Sequence, residues 1–193
     1  MPAPYRLERF AADLHDLIDA LQLAPAILVG HSMGAKVALR FALDYPDETR
    51  ALVLVAPVAS GDANFSPKGE AYLRATAGNP EGARDWLRKT LADPEDALLD
   101  KLGAAAGAMR PEAVLQSLES WMHTDMAEAT RAVTVPVLVI ASELDAPQMQ
   151  QERVAAFLPN ARYVVLPGAA HYAILEKPAE VAEMIREFIL SER

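Results

Sequence analysis

A chain of 193 residues, 52% of them apolar, is long enough to bury one sizeable core with an inserted subdomain. Its 27 Asp and Glu against 18 Lys and Arg leave a formal charge of −9, which repels phosphate backbones and anionic membrane surfaces and argues against nucleic acid or membrane as partners. Without cysteine there is no disulfide framework and no thiolate metal site; the first residues lack a signal-peptide layout and no apolar run is long enough to span a membrane, so a cytoplasmic protein is expected.

Residues 5–22 place Leu7, Phe10, Ala11, Leu14, Leu17, Ile18 and Leu21 at three- and four-residue intervals, the pattern of an amphipathic helix stopped by Ala24-Pro25. The apolar run 26–29 reads as a strand buried on both faces. A helix follows it, with Val37, Ala38, Phe41, Ala42 and Tyr45 on one face, and ends near Asp44-Tyr45-Pro46. Residues 50–57 form a second buried strand, and strand–helix–strand order implies a parallel sheet. From 60 to 131 the β-branched runs vanish and Ala-rich segments punctuated by Gly and Pro predict an all-helical insertion, with a bend at the low-complexity run 103–108. The Leu, Met and Trp positions there, Trp86 and Trp121 among them, read as packing, and the insertion is placed to cap a pocket. Strand patterns return at 133–145 and 162–166, separated by a helix over 148–157; the loop 167–171 and a closing helix over 178–190 complete an α/β chain. The run Glu176-Lys177-Pro178 marks the start of that last helix.

Between the first strand and its helix stands Gly30-His31-Ser32-Met33-Gly34. A serine hydroxyl is a weak nucleophile unless a base can reach it, and a sharp strand-to-helix turn exposes it for that purpose. Close backbone approach there leaves no room for a Cβ two residues before and two after the serine, and both positions are glycine. The same turn makes the Met33 N–H available to an anionic oxygen. A base needs a carboxylate to fix its tautomer and stabilise the imidazolium. Of four histidines, His15 lies on the first helix, His31 within the turn and His123 in the insertion; His171 follows a strand on the sheet portion and is the candidate base. Asp145 is the candidate acid, with Glu143 two residues before it as the competitor. Ser32, Asp145 and His171 each fall just beyond a strand's carboxyl end, where sheets of this class bind ligands.

Residues 28–34, Pro136–Ile140 leading into Glu143-Leu144-Asp145, and Pro167-Gly168 through His171 into Glu176-Lys177-Pro178 resemble the α/β-hydrolase family over nearly the whole chain. The resemblance implies a core of residues 1–59 and 132–193, a helical cap at 60–131, attack by Ser32 on an ester or related acyl substrate through an acyl-enzyme, and neither metal nor organic cofactor. Carbon–carbon bond hydrolysis or perhydrolysis on the same triad is an alternative. Family members begin with several strands before the helix that opens this chain, and a loop there supplies the second oxyanion donor. Here the donor set reduces to Met33, and the 26–29 strand becomes an apolar sheet edge, a template for pairing with another chain. A truncated reading frame with Met1 as an internal methionine, a self-associating homo-oligomer, and a partner-completed or catalytically impaired interaction module all follow as expectations.

Overall fold

Among the described residues, four strands make one all-parallel sheet in the order β1 (Ala26–His31), β2 (Thr49–Val55), β3 (Val137–Ser142), β4 (Ala161–Leu166). The coordinates are a computed structural model that describes residues 4–192. Met1, read above as an internal methionine, lies outside the described residues. β2 and β3 are flanked on both sides and read as near-continuous buried apolar runs, as central parallel strands must. Alternate residues of β2 serve opposite faces. Leu52 and Leu54 join Leu7, Leu39 and Phe41 from α1 (Leu7–Ala20) and α2 (Met33–Asp44). Ala51, Val53 and Val55 join Val181 and Phe188 on the far side. That period of two places helices on both faces, with the closing helix as the second cover.

β1 takes the edge position expected for the 26–29 strand, but it is not buried on both faces. Val29 is 53% exposed. The buried stripe of α1 is also narrower than its apolar pattern: Leu7, Ala11 and Ile18, spaced four and seven residues apart, are buried on one face, whereas Leu17 and the C-cap Leu21 are exposed.

Four helices occupy the stretch between β2 and β3: α3 (Pro67–Arg74), α4 (Pro80–Thr90), α5 (Asp96–Gly107) and α6 (Pro111–His123). Ser66 and Asn79 cap α3 and α4 by accepting from the amides of Gly69 and Gly82 at 3.1 and 3.0 Å, with Pro at the first helical position of each. The bend expected at 103–108 falls only at its end, where α5 gives way to a turn after Gly107. α5 continues through Gly103 and ends at Gly107, and the glycines admit α4: a Cβ on Gly107 would stand 2.3 Å from Pro80 Cγ, and one on Gly103 3.0 Å from Arg84 Cβ.

The helix expected over 148–157 is divided. A 3-10 turn at Pro147–Met149 is separated from α7 (Gln151–Ala156) by Gln150 at φ 52°, a left-handed residue that ends one helical path and starts the next. α8 (Ala173–Glu176) and α9 (Pro178–Ser191) close the chain, with Pro178 at the first position of α9. Among the described residues no helix is long and apolar enough to cross a membrane.

One buried charge joins these parts. Lys36, on α2, is 0% exposed, and its Nζ donates to the carbonyls of Gly61 (2.9 Å) and Trp121 (2.8 Å), one on the chain leaving β2 and the other on α6. Burial pushes the ammonium from 10.5 down to about 8, against the opposing pull of Asp125 and Asp62. Below that value folded and unfolded chains both carry the proton; between about 8 and 10.5 only the unfolded chain does, so this group's contribution to stability rises with pH across that window. The span corresponds to on the order of 3 kcal/mol. Urea unfolding of wild type and Lys36→Met at pH 7.5 and 10 is expected to show the stability difference moving in favour of wild type at the higher pH. A difference independent of pH would contradict the burial argument.

Candidate active site

The turn from β1 into α2 sets Ser32 at φ 54° and ψ −121°, a region that L-residues populate only when their surroundings impose it. The imposing contacts are close: Ser32 N donates to Val55 O at 3.1 Å, and Ala35 N returns to Ser32 O at 3.1 Å. Gly30 lets the two limbs meet, since a Cβ there would lie 2.5 Å from Gly34 O. Gly34 does not share that constraint, contrary to expectation. A Cβ on it meets nothing within 4 Å, because the position sits in the first turn of α2 on its open side. Met33 opens α2, and its amide belongs to the first-turn N–H groups for which a helix supplies no acceptor of its own.

Ser32, His171 and Asp145 meet beyond the ends of β1, β4 and β3. His171 Nε2 lies 2.8 Å from Ser32 Oγ, and His171 Nδ1 lies 2.8 Å from Asp145 Oδ2. The histidine and aspartate side chains are 6% and 5% exposed, so their contact is sheltered from competing water. Asp145 accepts Nδ1–H, which leaves Nε2 free to accept from the serine hydroxyl. Glu143, the competing acid, is exposed and turned elsewhere; its Oε2 accepts from Gly168 N at 2.8 Å.

The loop carrying His171 is fixed from three directions. His171 N donates to Thr90 O at the end of α4 (3.0 Å), and Ala170 N donates to Glu176 Oε2 (2.8 Å). His31 donates from Nε2 to the carbonyl of His171 at 2.7 Å, and burial pushes its pKa down. The other histidines are elsewhere: His15 bonds Glu48 Oε2 at 3.0 Å and stacks on Tyr45, and His123 stands at the exposed end of α6. Over Ser32 is a cavity of about 150 Å3, walled by Val58, Leu73, Trp86, Leu118, Trp121 and Met149 beside His171 and Tyr172. Trp86, Leu118 and Trp121 read from sequence as packing, and their second role needed the three-dimensional arrangement to be seen. Gln151 was not singled out in the sequence at all; its amide contacts Asp145 Oδ2 at 2.5 Å.

Comparison with known proteins identifies the family. A family model described as "Alpha/beta hydrolase family" matches residues 1–184. The chain belongs to the alpha/beta hydrolase family. It is 29% identical over 205 residues to the 2-(acetamidomethylene)succinate hydrolase of Mesorhizobium japonicum, spanning 96% of this chain and 71% of that relative. Among solved structures, a thermophilic esterase from Thermogutta terrifontis with malate bound is 26% identical, with a TM-score of 0.82 over 97% of this chain and 73% of that one. A bromoperoxidase from Bacillus anthracis superposes with a TM-score of 0.88 over 96% of this chain and 74% of that one; at 18% identity it speaks for the fold. Hydrolases and esterases of small molecules are thus the company this family member keeps.

Proposed function

We propose that the protein is a serine hydrolase of ester or related acyl substrates, with Ser32 as nucleophile, His171 as base and Asp145 as the acid that orients it. The observation that carries this reading is the unbroken run of two 2.8 Å contacts from Asp145 through His171 to a serine held at φ 54°. In the reaction Ser32 Oγ bonds to the substrate carbonyl carbon while its proton passes to His171 Nε2, and the carbonyl oxygen takes the negative charge. The Met33 amide faces that oxyanion from the positive end of α2. Collapse expels the leaving group with the proton from His171, leaving an acyl-Ser32 ester. Water, deprotonated by the same imidazole, attacks the ester and restores the serine. No step asks for a metal or an organic cofactor.

In this reading residues 60–131 are the cap over a core of 1–59 and 132–193, and they shape the acyl site. A cavity near 150 Å3 suits a group about the size of benzene. Trp86, Trp121, Leu73 and Leu118 offer it apolar contact and no charge. The substrate class is therefore a small, uncharged, short-chain or single-ring acyl ester. A panel of p-nitrophenyl esters tests this: kcat/KM is expected to be highest for acetyl through butyryl and at least tenfold lower for palmitoyl. A preference for the long chain would overturn the assignment of the cavity as the acyl site.

The open β1 edge, with Val29 exposed, favours a second reading in which a chain without turnover serves as an interaction module. The two readings part on whether Ser32 reacts.

A further inference from the structure

We propose that Gln151 is a positioning residue for Asp145, holding its carboxylate at the angle from which it receives the Nδ1–H of His171; this rests on the Ser32–His171–Asp145 reading. Gln151 is 8% exposed and opens α7, directly after the left-handed Gln150. Its amide spans two fixed points. Oε1 accepts from the backbone N–H of Ser142 at 2.7 Å, and Nε2 donates to Asp145 Oδ2 at 2.5 Å. The orientation of the amide follows from its partners, because a main-chain N–H can only donate and a carboxylate can only accept. Neither end tolerates a flip.

The geometry shows why such a brace has work to do. Asp145 stands in the loop beyond β3, and among the described residues its Oδ1 is held only by the amide of the next residue, Ala146, at 2.7 Å. Oδ2 receives both His171 Nδ1–H and Gln151 Nε2–H. Ser142 is the last residue of β3 and pairs with Leu166 of β4, so the brace ties a loop carboxylate to the frame of the sheet. Without Gln151 the carboxylate keeps one neighbour from its own loop and the imidazole it is meant to orient. Rotation about its side-chain bonds then changes the angle at Nδ1, and the tautomer and aim of His171 loosen with it.

The test uses the whole chain, with Gln151→Met and Gln151→Glu. Two readouts are taken. Proton NMR follows the far-downfield imidazole N–H of the His171–Asp145 contact, assigned by its loss in His171→Ala; it needs no substrate. Intact-mass spectrometry follows the rate of fluorophosphonate labelling. For Gln151→Met the N–H signal is expected to broaden away and labelling to slow by about 10- to 100-fold, the scale on which outer supports of a reactive group act. In Gln151→Glu the contact with Asp145 survives only with a proton shared between the two carboxyls. Labelling should therefore stay near the wild-type rate at acid pH and fall through a new ionisation as pH rises, an ionisation that a merely structural role would not create. Gln151→Met with an unchanged N–H signal and labelling rate overturns the proposal; should that variant not fold, absence of the new ionisation in Gln151→Glu overturns it. If wild type shows the N–H signal, Gln151→Met loses it and wild type never labels, the positioning role stands and the serine-hydrolase reading falls.

Discussion

Ser32→Ala is expected to lower the hydrolysis of any accepted ester by about 10⁶-fold in kcat, measured against p-nitrophenyl acetate, with the fold intact. Removing the hydroxyl removes the only atom to which the acyl group can bond, and what remains is stabilisation of charge without covalent catalysis. His171→Ala and the double variant are expected to fall to the same level, because the two groups act as one unit. The elbow adds a second, opposite effect. Ser32 is held at φ 54°, and Ser32→Gly relieves that strain, so this inactive variant is expected to be more stable than wild type by about 1 kcal/mol in urea unfolding. A serine that gains stability when removed is one the fold has been made to carry.

Gly30→Ala is expected to cost about 3 kcal/mol of stability or more, and activity with it. Its Cβ would stand 2.5 Å from Gly34 O, 2.6 Å from Gly34 C and 2.7 Å from Ala35 Cα. All three are backbone atoms of the first turn of α2, so no side-chain rotation relieves the clash; β1 and α2 must separate, and the angle at Ser32 goes with them. Gly34→Ala is the internal control. It meets nothing within 4 Å and replaces a helical glycine, so it is expected to be neutral or to stabilise by up to about 1 kcal/mol. Urea unfolding of the two variants side by side separates an elbow closed by one glycine from one that needs both.

The sheet was legible because buried parallel strands are written as unbroken apolar runs, which β2 and β3 are. That Ser32, Asp145 and His171 come together was legible because each lies just beyond a strand-forming stretch, and loops beyond strand ends bring distant residues together. What stayed hidden has specific physical causes. The edge position of 26–29 was expected, but which of its apolar side chains stays exposed was not, and it is Val29. Gly103 and Gly107 suggested a bend because composition cannot reveal that another helix lies against them. Gln151 gave no signal, since a polar residue opening a short helix reads as solvated; its importance lies in the direction of one amide. Lys36 likewise reads as surface, and its burial depends on two carbonyls, 25 and 85 residues away in sequence, converging on its ammonium.

The central claim is that Ser32 is an activated nucleophile, and the direct measurement is intact-mass labelling of the 193-residue chain with a fluorophosphonate, beside Ser32→Ala and His171→Ala. One adduct on wild type and none on either variant is the predicted result. Folded wild-type protein that takes up no adduct, or a Ser32→Ala variant that still does, would contradict it.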